Sequence, residues 1–197
     1  MTKTLIVPGL DGSPAPHWQE WWARTDPDAM MLDMGDMTRP VREVWEATLA
    51  VHVMTHPGSI LVGHSLGAVT IAHLLARWPG LRVRAALLVA PADPQISERT
   101  RRFGSLPRER FDVPTLVVAS RNDPWMSFET SQQLALSWGA TLHDLGHAGH
   151  INAASGFGPW PAAKAMRDAL LTQTQRPSIL RRMIGTWAQP ARARLPA

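Results

Sequence analysis

Ser59-Ile60-Leu61-Val62-Gly63-His64-Ser65-Leu66-Gly67-Ala68-Val69-Thr70-Ile71-Ala72-His73-Leu74-Leu75-Ala76-Arg77 reads as three pieces in a fixed order: an apolar run, a serine between two glycines, and a helix-forming stretch. The five central residues, Gly63 to Gly67, form a G-x-S-x-G run. Strand, sharp turn and helix is the context that a nucleophile elbow requires, because the glycines let backbone crowd close while the serine hydroxyl stands exposed above a sheet. The pentapeptide alone is weak, since small residues surround serines by chance. Its setting favours a nucleophilic serine over a plain structural turn.

Outward from that stretch, short apolar runs alternate with amphipathic segments, which predicts an α/β domain with a parallel sheet. The expected strands are residues 4–7, 29–32, 59–62, 85–89, 115–119 and 141–144, about six in all. The expected helices span residues 17–23, 41–55, 66–78, 128–138 and 160–172. Runs such as Ala85-Ala86-Leu87-Leu88-Val89 are apolar throughout, as strands covered on both faces are. Val41, Val44, Trp45, Leu49 and Val53 recur near the helical period, after a proline placed where a helix start tolerates one. The irregular piece 92–113, with five arginines, is either a flap beside the site or a solvated connection.

With 197 residues and 45% hydrophobic, 18% charged composition, the chain is long enough for one substantial core. It has no cysteine, which excludes disulfides, thiolate metal sites and a cysteine nucleophile, and suits a reducing cytoplasm. No run is long enough for a membrane span, and the N-terminal apolar run is too short for a signal peptide, so a cytoplasmic protein is expected. The net charge is +4, yet five arginines and no acid follow Ala169; subtracting those five leaves residues 1–168 with one net negative charge. Basicity therefore belongs to the tail, and the body has no electrostatic case for nucleic acid. The expected division is a domain over 1–175 and a basic tail over 176–197. In that tail Ile179, Leu180, Met183, Ile184 and Trp187 fall at helical spacing, so it reads either as a basic amphipathic helix for a partner or membrane surface, or as a helix packed on the body.

A serine hydroxyl needs a base, and the base needs an orienting acid, in the chain order Ser, acid, His. Asp93 and Asp123 are the acid candidates. Asp123 is preferred because Asn122-Asp123-Pro124 makes a tight turn at a strand end, with an ordinary Asx turn as the bland alternative. His147 and His150 each follow a glycine after the last strand, and spacing does not choose between them. Oxyanion donors are expected from the backbone N–H of Leu66 and from Leu10, in the glycine-rich loop Val7-Pro8-Gly9-Leu10-Asp11-Gly12-Ser13. That loop lacks the spacing of a phosphate or dinucleotide site, so no cofactor is expected, and no ligand set for a metal accompanies the histidines. Trp18, Trp21, Trp22, Trp125 and Trp160 are candidates for an apolar pocket wall, with core packing as the alternative. Trp125, two residues from Asp123, is the best of them; it and His64, beside the nucleophile, are assigned to the substrate side.

Together these residues resemble the small α/β-hydrolase family that includes retinoblastoma-binding protein 9 and the bacterial YdeN-like serine hydrolases. The resemblance runs over about residues 3–172. It rests on Val7-Pro8-Gly9 with His17-Trp18 and Trp21 downstream, on Gly63 to Gly67, on Ser120-Arg121-Asn122-Asp123-Pro124 and on Gly149-His150-Ile151-Asn152; Ser155-Gly156-Phe157-Gly158-Pro159-Trp160-Pro161 looks like the bacterial branch. It implies a compact α/β-hydrolase fold with helices on both faces of the sheet, Ser65 as nucleophile, Asp123 as acid, and His150 rather than His147 as base. It also implies hydrolysis of carboxylic esters. The expectation is therefore a serine hydrolase acting through an acyl-enzyme on small acyl compounds, at a shallow site because no long lid insertion is present. The rivals are a binding or scaffold protein on the same fold and an acyltransferase using the same residues.

Overall fold

The apolar runs become six strands: β1 (Thr4–Val7), β2 (Ala29–Met31), β3 (Ser59–His64), β4 (Val83–Val89), β5 (Thr115–Ala119) and β6 (Thr141–Asp144). In the computed structural model, which describes residues 2–175, they pair in parallel as one sheet in the order β2-β1-β3-β4-β5-β6. The tail reading for 176–197 lies outside the described residues. Five helices connect and cover the strands: α1 (Trp18–Thr25), α2 (Arg42–Thr55), α3 (Leu66–Arg77), α4 (Phe128–Trp138) and α5 (Pro161–Gln175).

Side chains alternate across a strand, so each run feeds two cores. Leu5, Val7 and Leu61 join Trp45 and Leu49 of α2, Leu74 of α3, and Leu134 and Trp138 of α4. Ile6, Ile60 and Val62 point the other way, onto Trp18 and Trp22 of α1 and Ala163 and Leu170 of α5. A fully apolar run is what a strand buried on both faces requires. Trp18 and Trp22 are fully buried, and Trp160 packs edge-on against Trp18 at 5.6 Å, so these rings are core and not pocket wall.

Element boundaries follow local chemistry. The Ser127 hydroxyl accepts from the Thr130 N–H at 3.1 Å to start α4, and Gly139 in the left-handed region ends it. Pro161, not Trp160, opens α5, which runs on past the expected end at 172 to Gln175. β2 stops one residue short of the expected Leu32, although the Leu32 N–H still donates to Ile6 O at 2.9 Å.

Segment 92–113 holds one 3-10 turn, Arg101–Phe103. Phe103 is fully buried, edge-on to Trp45, and Phe111 stacks on Trp138 with centroids 5.2 Å apart. Two aromatic anchors tie this irregular stretch to the body. Strand order reverses between β1 and β3, and in open parallel sheets the crevice at the strand carboxyl ends beside such a reversal takes ligands. Residues Asp11, Ser65 and Ala90 follow β1, β3 and β4 there, and all three have positive φ without being glycine. Such strain collects where surrounding structure over-determines the backbone.

Candidate active site

Ser65 sits between β3 and α3 at φ 53°, ψ −120°, a backbone that holds its side chain clear of both elements. The turn is possible only because neither flanking glycine has a Cβ. A Cβ on Gly63 would lie 2.6 Å from Ala68 N, and one on Gly67 would press into Val7 O and lie 2.5 Å from Pro8 O. The G-x-S-x-G spacing therefore lets α3 nest against the end of β1, which brings the glycine-rich loop after β1 alongside the serine. A Cβ on Gly9 would stand 3.1 Å from Ser65 Cβ.

Three of the predicted side chains meet here. His150 Nε2 lies 2.8 Å from Ser65 Oγ, and His150 Nδ1 lies 2.9 Å from each carboxylate oxygen of Asp123. Because a carboxylate only accepts, Nδ1 carries the proton and Nε2 offers its lone pair to the hydroxyl. The Asp123 and His150 side chains are 4% and 9% exposed, so this chain of contacts is shielded from water. The Trp125 N–H also donates to Asp123 Oδ1 at 2.9 Å. His147 is exposed and Asp93 makes no contact with His150, so of the candidates that spacing left open the structure brings Asp123 and His150 together with Ser65.

Leu10 and Leu66, named from the sequence as oxyanion donors, both lie beside Ser65. Leu66 opens α3, where no carbonyl one turn earlier receives its N–H. In the loop after β1 the amides of Asp11 and Gly12 donate to Met37 O and Gly9 O, while that of Leu10 makes no backbone hydrogen bond among the described residues. Leu10 and Leu66 line one pocket with Ser65 and His150, a cavity of about 300 Å³. Ala92, Asp93, Pro94, Ser97, Arg99 and Thr100 line the same cavity, so the first half of segment 92–113 contributes to the pocket wall. Trp125 stands in the same wall, 41% exposed.

His64 lines the pocket, but its Nε2 is directed at His150 O, 2.8 Å away. Burial drives its pKa well below the ordinary value, and the neighbouring His150 and His17 push the same way. The neutral ring donates from Nε2 and anchors the backbone of His150, in addition to its place in the pocket wall. His17 packs edge-on to His64 at 4.9 Å, and its pKa falls to about 4, chiefly through burial and then through His150.

Several supporting residues escape a reading of the sequence. Trp18 Nε1 donates to Ile151 O at 2.9 Å, so the residue after His150 is held from α1. Buried Gln19 donates from Nε2 to Val7 O and accepts the Ser13 hydroxyl, which fixes both ends of the glycine-rich loop after β1. Ser120 Oγ accepts from the Ala148 N–H and Asn122 Oδ1 from the Gly149 N–H, so the loop carrying Asp123 also holds the loop carrying His150. The adjacent polar and aromatic residues His17-Trp18-Gln19 opening a helix were the available signal; burial of Gln19 was not readable. Among the described residues no group of three or more His, Asp or Glu side chains is placed to hold a metal ion.

A family model described as serine hydrolase matches residues 4–168. A protein described as a YdeN-like hydrolase from Pectobacterium atrosepticum has a crystal structure with 34% identity and a TM-score of 0.76, over 85% of this chain and 90% of that one. The YdeN protein of Bacillus subtilis is 26% identical, with a TM-score of 0.72, over 87% of this chain and all of that one. Est1E from Butyrivibrio proteoclasticus, at 14% identity and a TM-score of 0.66 over 89% of each chain, shares the fold. The architecture is that of the α/β-hydrolases.

Proposed function

We propose, from the premise that this chain belongs to the serine hydrolase family, that it hydrolyses small carboxylic esters through an acyl-enzyme on Ser65. The observation that carries the reading is the continuous contact from Ser65 Oγ through His150 to Asp123, at 2.8 and 2.9 Å. His150 Nε2 takes the hydroxyl proton as Oγ attacks the acyl carbonyl. Asp123 holds the ring in the required tautomer and stabilises the imidazolium. The Leu10 and Leu66 amides receive the oxyanion, His150 returns its proton to the leaving alkoxide, and water then releases the acid.

Site size supports a small substrate, since about 300 Å³ admits a short acyl chain and a modest leaving group. No helix among the described residues is long and apolar enough to cross a membrane, and a chain without cysteine suits a reducing cytoplasm. Kinship with retinoblastoma-binding protein 9 rests on the motif resemblance alone.

A fluorophosphonate probe and a short-acyl p-nitrophenyl ester test the assignment. Labelling and turnover should both vanish in Ser65→Ala, and turnover should fall by roughly 10³-fold or more in His150→Ala while His147→Ala keeps it. Labelling that persists in Ser65→Ala would sink the proposal; wild-type protein that is never acylated would favour a binding role.

A further inference from the structure

The pocket at Ser65 is walled by two carboxylates, Asp11 and Asp93, and one guanidinium, Arg99, with Asp123 behind the His150 ring. Two of the three carboxylates are occupied. Asp123 faces His150, and Asp11 is paired with Arg99, whose Nη1 donates to Asp11 Oδ2 at 3.0 Å and whose Nη2 donates to Asp11 Oδ1. The guanidinium is further engaged by Thr38 O, from Nε at 3.1 Å and from Nη2 at 2.9 Å. Arg99 is thus locked into the loops beside the pocket and is no receptor for a substrate anion.

Asp93 is different. One oxygen, Oδ1, accepts from the Gln95 N–H at 2.9 Å, and among the described residues the carboxylate makes no ion pair. Its own N–H donates to Trp125 O at 2.8 Å, which ties the carboxylate to the residue whose indole shares the pocket wall. That indole is 41% exposed and lies 6.3 Å from the His150 ring, centroid to centroid. An uncompensated carboxylate and a partly exposed indole therefore both line the pocket beside the nucleophile. A cation gains from both, by Coulomb attraction in a partly dehydrated cleft and by the negative face of the indole ring. A neutral group gains neither, and an anion meets repulsion.

We infer that the ester taken at Ser65 carries a compact cationic amine, which sits between the Asp93 carboxylate and the Trp125 indole. This rests on the hydrolase reading above and deepens it by naming the substrate class. The charge belongs on the part of the substrate that faces the 93–100 wall while the carbonyl lies at the Leu10 and Leu66 amides.

Matched esters that differ only in charge test it. One pair carries the charge on the alcohol, 2-(trimethylammonio)ethyl acetate against its carbon isostere 3,3-dimethylbutyl acetate. A second pair carries it on the acyl group, as the p-nitrophenyl esters of 4-(trimethylammonio)butyrate and 5,5-dimethylhexanoate. In one pair kcat/KM for the cationic member should exceed that for its isostere by about tenfold or more, the size expected of a partly desolvated cation contact. The ratio within that pair should fall toward one in Asp93→Asn, fall several-fold in Trp125→Leu, and shrink as ionic strength rises from about 0.02 to 0.5 M. Equal constants within both pairs, or a preference that survives Asp93→Asn and added salt, overturn the inference. The hydrolase reading fails separately, through uncharged esters that wild type leaves intact or that Ser65→Ala cleaves equally well.

Discussion

At Trp18 one indole N–H reaches across 133 positions of sequence to the carbonyl of Ile151, next to the proposed base. Ile151 itself has φ 51°, so the backbone at the base is held in an unfavourable conformation by such contacts. Trp18→Phe removes the donor and one ring of the buried indole, leaving Ile151 O unsatisfied and a small cavity at a cost of roughly 2–4 kcal/mol. Because the lost contact positions His150 and does not touch substrate, kcat should fall about tenfold with KM changed by less than about twofold, a division that general loosening of the core would not produce. Ester kinetics on the variant, with a melting curve to verify folding, decide the point. Gly67 makes the opposite kind of case. A helical glycine replaced by alanine ordinarily gains up to about 1 kcal/mol, yet here the new Cβ would strike Val7 O and Pro8 O, both backbone. The clash wins: Gly67→Ala should lose about 3 kcal/mol in urea unfolding, and a neutral or stabilising result would contradict the packing described. Ser65 and its glycines were legible in the sequence because strand, turn and helix are local. Trp18, Gln19 and Asn122 were not legible in their roles, because each acts on a loop that only the fold brings near.

Among the elements, the strands and helices were read within a few residues, since the apolar runs feed both faces of a covered parallel sheet and leave little ambiguity of period. Segment 92–113 resisted, because its function depends on two aromatic anchors and one ion pair and not on any repeat. Phe103 and Phe111 root it in the core, while Arg99 ties its middle to Asp11 in the glycine-rich loop after β1 and to Thr38 after β2. Both partners of that pair are about half exposed, so its contribution to global stability should be small. Its local contribution is different, since it ties the part of this segment that lines the pocket to the loop after β1. Arg99→Ala should raise KM several-fold with little change in Tm, and should expose a protease-sensitive bond within residues 92–113. Cleavage and KM like those of wild type would mean that the aromatic anchors alone hold the segment.

For the whole molecule, acid sensitivity follows from three histidines that the fold keeps neutral. Burial lowers His17 and His73 to about 4 and holds His64 well below its ordinary value; at His73 the nearby Arg42 adds to the effect. In the unfolded chain each returns to about 6.5, so below that pH the unfolded state binds protons that the folded state refuses. The sign is fixed by that difference: stability is full above about pH 6.5 and is lost progressively as pH falls toward about 4. Below that value His17 and His73 are protonated in both states and add no further slope. Asp26 and Asp144, each held below the usual carboxylate range, extend the loss only under still more acid conditions: at Asp26 hydrogen bonds from the Asp28 amide, Trp22 and Arg167 outweigh a burial term of the opposite sign, and at Asp144 the Arg121 guanidinium dominates. Urea unfolding from pH 7.5 to 4.5 should therefore show a steep decline beginning roughly two units above the carboxylate range. His17→Asn preserves a side chain able to cap α1 and removes one titrating ring, so it should reduce proton uptake on unfolding near pH 5 by about one. His73→Gln should do the same from the other side of the sheet, and the two effects should add because the sites share no partner. A flat wild-type profile across this window would mean that the buried rings titrate as they do in water. The same neutrality serves the proposed chemistry, because an imidazolium forming on His150 then meets uncharged rings at His64 and His17 instead of like charge.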